Sequence, residues 1–139
     1  MKAKDCIFFQ LTKASLAGTG FVAGKVEHLG VTTSQAMVLN FLGEEDCIPQ
    51  HVLGQKVQIT SATMTGILDR LEKMDLVERR PQPADRRALL ACLTKRGVRY
   101  AKEIHSTMVE ANAEFLSQLS PEESSTLRDL LNQVREDRS

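Results

Sequence analysis

Three hydroxyls, Ser61, Thr63 and Thr65, stand at alternating positions in TSATMTGILDRLEKM, and two adjacent arginines, Arg86 and Arg87, follow further on in PQPADRRA. Hydroxyls grouped with free backbone N–H groups at a helix start suit phosphate oxygens and base edges. An arginine on a projecting tip can enter a narrow, electronegative minor groove and read its width. That is binding chemistry rather than bond-breaking chemistry. The sequence offers no convergent nucleophile, acid and base, no glycine-rich phosphate loop and no metal motif, and His28, His51 and His105 lack ligand spacing. No catalytic residue, cofactor or metal is expected.

The charge distribution points the same way. Eighteen Lys and Arg balance eighteen Asp and Glu, which by itself argues against a general polyanion binder. Between Arg79 and Lys102, however, eight basic residues face a single acid, Asp85, for a local balance of +7. From Glu103 onward three basic residues meet eight acidic ones, a balance of −5. A neutral chain is thus divided into a basic end and an acidic remainder, as expected when one surface meets a polyanion. A merely solvated hairpin is the plainer reading of such a cluster.

The elements that must position these groups can be read from periodicity. Met64, Ile67, Leu68, Leu71 and Met74 recur on one helical face, with Ser61, Thr63, Thr65, Gly66 and Arg70 on the others and Thr60 as the N-cap. After Asp75, Leu76 to Arg79 reads as a strand, PQPAD as a turn and Ala88 to Leu93 as a returning strand, so the hairpin tip runs from Pro81 to Arg87. Upstream, Thr32 and Gln35 have capping-box spacing before a helix with Met37, Val38, Leu39, Phe41 and Leu42, and Pro49 suits the first position of a short helix. The predicted class is mainly α with a small β wing, a winged helix-turn-helix over about residues 32–93.

The two ends read as helices, over about 5–29 and 95–136. The first has a stripe of Phe8, Leu11, Ala14, Gly18, Val22, Val26 and Leu29, and its Gly18, Gly20 and Gly24 imply close packing, a bend or a pocket wall, a break in the helix being the alternative. The last region divides at Ser120, Pro121 and Glu123, a second capping box, into a long helix capped by Thr94 and a final one with Leu127, Leu130, Leu131 and Val134. A small winged unit cannot cover both apolar ends, so they are expected to pair with a second copy, intrachain packing being the alternative. At 139 residues and 42% hydrophobic the chain suits one domain. The run CIFF is too short for a signal peptide and no stretch approaches a membrane span, so a cytoplasmic location is expected.

The run LDRLEKMDLVERRPQPADRRALLACLTKRG resembles the MarR family of bacterial transcriptional regulators in its recognition helix, its wing with Asp85 and Arg87, and the Leu93–Thr94 step into the next helix. VTTSQAMVLNFL and HVLGQKVQITSATMTGIL match the two helices before it, and the similarity in order and spacing covers essentially the whole chain. The resemblance implies a homodimer on inverted-repeat double-stranded DNA, repressing nearby genes until a small-molecule effector or oxidant releases it. It singles out Arg87 over Arg86. Arg70 either contacts phosphate or pairs with Asp85 to support the wing. Asp75 stands where the family commonly has glycine, so a positive φ is expected there. A winged helix that binds proteins without specific DNA recognition stays open as the alternative.

Signal sensing has two candidate places. Cys6, in DCIFFQLTK, resembles the peroxide-sensing segment of the family's organic-hydroperoxide branch, and thiols at helix N-termini oxidise readily. That branch supplies tyrosines to its thiol, whereas the one tyrosine here is Tyr100, and a passive thiol is the alternative. Phe8, Phe9, Phe21 and Met37 could line an effector site or simply be core. Cys6, Cys47 and Cys92, an odd number at unrelated spacings, suggest neither a disulfide nor a zinc site, and Cys92 reads as core.

Overall fold

The computed structural model describes residues 1–136, the side chains of Arg86 and Arg87 excepted, so both arginines singled out above lie outside the described side chains. Helix α1 (Ile7–Val26) lies between two 3-10 turns, Ala3–Asp5 and Glu27–Leu29. There follow α2 (Thr33–Glu44), a two-residue strand β1 (Ile48–Pro49), α3 (Gln50–Val57), α4 (Ser61–Lys73), the hairpin β2 (Val77–Gln82) and β3 (Asp85–Leu93), and then α5 (Lys95–Phe115) and α6 (Pro121–Arg135).

Helices α2, α4, α5 and α6 each start where side-chain oxygens satisfy unpaired N–H groups, whereas α1 has no side-chain cap. Thr32 and Gln35 close a reciprocal capping box at α2, and Ser120 and Glu123 do so at α6 with Pro121 in the first turn. Thr60 accepts from the Thr63 N–H, and Thr94 from that of Gly97. Such caps are worth about 1 kcal/mol each. Pro49 caps α3 from the end of β1 instead of occupying its first turn.

The core lies between α2, α3, α4 and α5. Leu39, Leu42, Leu53, Leu68, Leu71, Leu76 and Ile104 are fully buried, with Met64 nearly so. Burying side chains of this size stabilises by roughly 1.5–3 kcal/mol each, before the opposing loss of chain entropy. The sheet order is β1-β3-β2, all antiparallel, with β3 in the middle. The wing tip is narrower than expected: β2 continues to Gln82, and only Pro83 and Ala84 form the turn. β1 was not foreseen at all, being too short to show a period.

Two backbone features hold the wing to the body. Asp75 has φ 58°, the left-handed turn expected there, and its carbonyl accepts from the Thr94 hydroxyl at 2.6 Å. Gly97 passes so close to the β2 entry that a Cβ would stand 1.9 Å from the Leu76 carbonyl oxygen. Glycine is therefore required at that position for space rather than for φ.

Two expectations are corrected. Cys47 and Cys92 form a disulfide, with Cα atoms 4.1 Å apart. The cause is the β1–β3 register: Ile48 pairs with Ala91 and Pro49 with Leu90, so the next step along places Cys47 opposite Cys92. Sequence spacing carries no trace of a pairing made by tertiary register. The glycines of α1, in turn, neither break the helix nor pack within the chain, since a Cβ at Gly18, Gly20 or Gly24 would meet nothing within 4 Å.

The terminal helices behave differently from the core. α1 buries Val26 alone, and α6 buries no residue. Phe8 is 76% exposed, and Leu130, Leu131 and Val134 also face outward. Intrachain packing does not cover these stripes.

Candidate nucleic-acid interface

The first turn of α4 is exposed at Ser61, Thr63 and Thr65, while Met64, Ile67, Leu68 and Leu71 anchor the opposite face in the core. Most of these hydroxyls are already oriented. Thr60 donates to Thr63 Oγ1 at 3.0 Å, leaving the Thr63 hydroxyl proton free to point outward. Thr65 donates to the Ser61 carbonyl at 3.0 Å and accepts from Gln50 Nε2 at 3.0 Å. Ser61 has no side-chain hydrogen bond among the described residues. The cluster therefore presents two donors, from Ser61 and Thr63, and a Gln50 amide held in place by Thr65. Gln50 adds what the first turn of α4 lacks, a long planar group of the kind that reads base edges bidentately.

The wing is fastened to α4 by an ion-paired clasp. Arg70 is exposed and joins no ion pair among the described residues. Arg79 makes the clasp: from β2 its guanidinium, 19% exposed, donates through Nε to Glu72 and through Nη2 to Asp69, one turn apart on α4. The hydrogen bond to Glu72 does most to raise the Arg79 pKa above its ordinary value, burial opposes it, and the bond to Asp69 adds to it. Asp69 and Glu72 lie three residues apart on one face, the one sign of this clasp that spacing could have given. Asp85 opens β3 opposite Gln82.

This clasp changes how the basic cluster is read. Arg79 is taken up by α4, and Arg80 pairs with Glu78 beside it. Among the described side chains, the positive charge left for an outside anion lies at Arg70 and Lys73 on α4 and at the exposed Lys95, Arg96, Arg99 and Lys102 of α5. On the α3 side, Lys56 pairs with Glu45, and His51 is exposed.

The candidate sensing groups do not converge. Cys6 is partly exposed at the N-cap of α1, and Tyr100 stacks beneath the Arg96 guanidinium on α5. Phe8, Phe9 and Met37 are exposed, and Phe21 packs on Phe115 with centroids 5.3 Å apart. Among the described residues no group of His, Cys, Asp or Glu could hold a metal ion, and no helix is long and apolar enough to cross a membrane.

Comparison with known proteins agrees with this geometry. Residues 31–89 match the model of the MarR family. The multiple antibiotic resistance protein MarR of Escherichia coli is 31% identical over 107 residues, covering 76% of this chain and 74% of that protein. A probable transcriptional regulator from Pseudomonas aeruginosa superposes with a TM-score of 0.89 at 32% identity, over 96% of this chain and 99% of that one. A cysteine-to-serine mutant of Escherichia coli MarR complexed with operator DNA superposes with a TM-score of 0.83 at 26% identity, over 90% of each chain.

Proposed function

The chain belongs to the MarR family of transcriptional regulators, and from that premise we propose that it is a homodimer that binds inverted-repeat double-stranded DNA, represses adjoining genes and is released by a small-molecule effector or oxidant. The observation that carries this is the joining of α4 to the wing. The polar start of α4 and the basic hairpin belong to one unit, closed by Arg79 on Asp69 and Glu72 and by Thr94 on the Asp75 carbonyl. An α-helix fits the major groove, and a projecting hairpin with arginines can reach the flanking minor groove.

In this reading Ser61, Thr63 and Thr65 lie at the base edges, with Gln50 aligned beside them. Arg70, which joins no ion pair among the described residues, contacts phosphate, and Arg86 and Arg87 reach the minor groove, Arg87 foremost. The second copy covers the apolar stripes of α1 and α6. The relative bound to operator DNA supports DNA over protein as the partner, and the similar proteins are regulators, not enzymes. A cytoplasmic location accords with work on the chromosome.

Incubation of the reduced protein with sheared DNA of its source organism, followed by sequencing of what is retained, tests the proposal. Enrichment of one inverted repeat, lost in Arg87→Ala, is expected. No enrichment from a folded wild-type dimer would contradict it.

A further inference from the structure

Gln50 belongs to α3, outside the helix that carries the hydroxyls, yet its amide is oriented by that helix. It is half-buried at the first position of α3 and lines, with Ser61 and Met64, the cleft between α3 and α4. The hydrogen bonds around it fix which way the amide points. The Thr65 hydroxyl has one proton, and the Ser61 carbonyl takes it at 3.0 Å. Towards Gln50 that hydroxyl can therefore only accept, so Nε2 must face Thr65, at 3.0 Å, and Oε1 must face away. Oε1 and the second N–H of the amide have no partner among the described residues.

The geometry points to Gln50 as an adenine reader: the carboxamide held by Thr65 makes a bidentate contact to one A·T pair in the major groove of each half-site. This rests on the DNA-binding function proposed above and adds to it a residue and a base. The donor and acceptor pattern selects the base. Oε1 needs a donor and the remaining N–H needs an acceptor, which adenine supplies side by side as N6–H and N7. Guanine offers acceptors at both N7 and O6, so one of them would oppose Oε1. Cytosine satisfies Oε1 alone, and thymine satisfies the N–H alone.

The neighbouring surface explains why a residue of α3 takes this role. The exposed residues at the start of α4, Ser61, Ala62, Thr63, Thr65 and Gly66, have no side chain longer than threonine. They let the helix come close to the bases but offer no planar group of their own. Holding the Gln50 amide in advance removes rotamer freedom that a free glutamine would lose on binding. Thr65 is thus a positioning residue that acts through Gln50, tied to its own helix by the Ser61 carbonyl. The preference comes from the amide edge and not from charge, so it should persist as salt rises while total affinity falls.

The test lets the full-length dimer select duplexes from a fully randomised library, in wild type and in Gln50→Ala, Thr65→Val and Thr65→Ser forms. Wild type is expected to enrich an inverted repeat with an adenine in each half-site that Gln50→Ala no longer requires, every other position being kept. Replacing that base pair should weaken wild type about tenfold or more per half-site and leave Gln50→Ala unaffected. The analogue 7-deazaadenine at the same position, which removes only the N7 acceptor, should likewise weaken wild type alone. Thr65→Val should relax that position and no other, Thr65→Ser should keep it, and Thr65→Val added to Gln50→Ala should change nothing further there. A uniform loss of affinity in Gln50→Ala with every base preference intact would overturn the assignment in favour of a phosphate contact. Indifference of wild type to 7-deazaadenine at every adenine of the repeat would overturn it without recourse to a variant. Failure of the folded wild type to enrich any repeat would overturn the proposed function, and the assignment with it.

Discussion

The winged unit from α2 to β3 and the terminal helices α1 and α6 solve the problem of apolar surface in opposite ways. In the winged unit Leu39, Leu53, Met64 and Leu71 disappear into a core that closes with the help of α5. At the chain ends, Phe8, Leu130 and Val134 are left outside, and α6 contributes nothing to the core. The same kinds of residue at the same helical spacing mean core in one place and interface in the other, because only the first has enough neighbours in the chain to cover it. Reading DNA thus calls for a unit closed on itself, whereas reading two half-sites calls for surface left open to a second copy.

The sharpest way to break the closed half is Gly97→Ala. The added Cβ would meet the Leu76 carbonyl oxygen, so α5 must move away from the wing base at a cost of about 4 kcal/mol or more, read as a large fall in the denaturation midpoint. The open half should respond in the contrary way to Leu127→Glu with Leu131→Glu. Neither side chain is buried in a single chain, so far-ultraviolet circular dichroism should hold while sedimentation shows dimer affinity falling about a hundredfold, at ~1.5 kcal/mol for each lost contact.

Arg79→Ala joins the two questions of stability and recognition. It leaves Asp69 and Glu72 without their shared cation, should cost about 1–2 kcal/mol in thermal or chemical denaturation, and should weaken DNA retention through a loosened wing. A small effect is expected from Thr32→Ala, about 1 kcal/mol from the lost capping box, with dimer affinity unchanged. A dimer defect in that variant would show that the two halves are less independent than described.

What could be read from the sequence follows the range of the interaction. The capping boxes at Thr32 and Ser120, the caps at Thr60 and Thr94 and the positive φ at Asp75 were legible because each is set within a few residues. The helix faces and the uncovered ends were legible because period and length suffice to show them. The Arg79 clasp, the hydrogen bond from the Leu93 N–H to Asp46, the space that only Gly97 fits and the Cys47–Cys92 bond were not, since each depends on how β2 or β3 lies against another element. Of the candidate site, the hydroxyls of α4 were found directly and Arg70 was left between two roles. The place of Gln50 beside them was not legible, because its partner Thr65 lies fifteen residues away.

The most direct test of a closed reading unit on an open dimer scaffold is the stoichiometry of the complex. Sedimentation of the wild-type protein on the duplex enriched by selection should show two chains per inverted repeat. The Leu127→Glu, Leu131→Glu variant should bind the same duplex weakly, one chain at a time. One wild-type chain per duplex at full affinity would contradict the account.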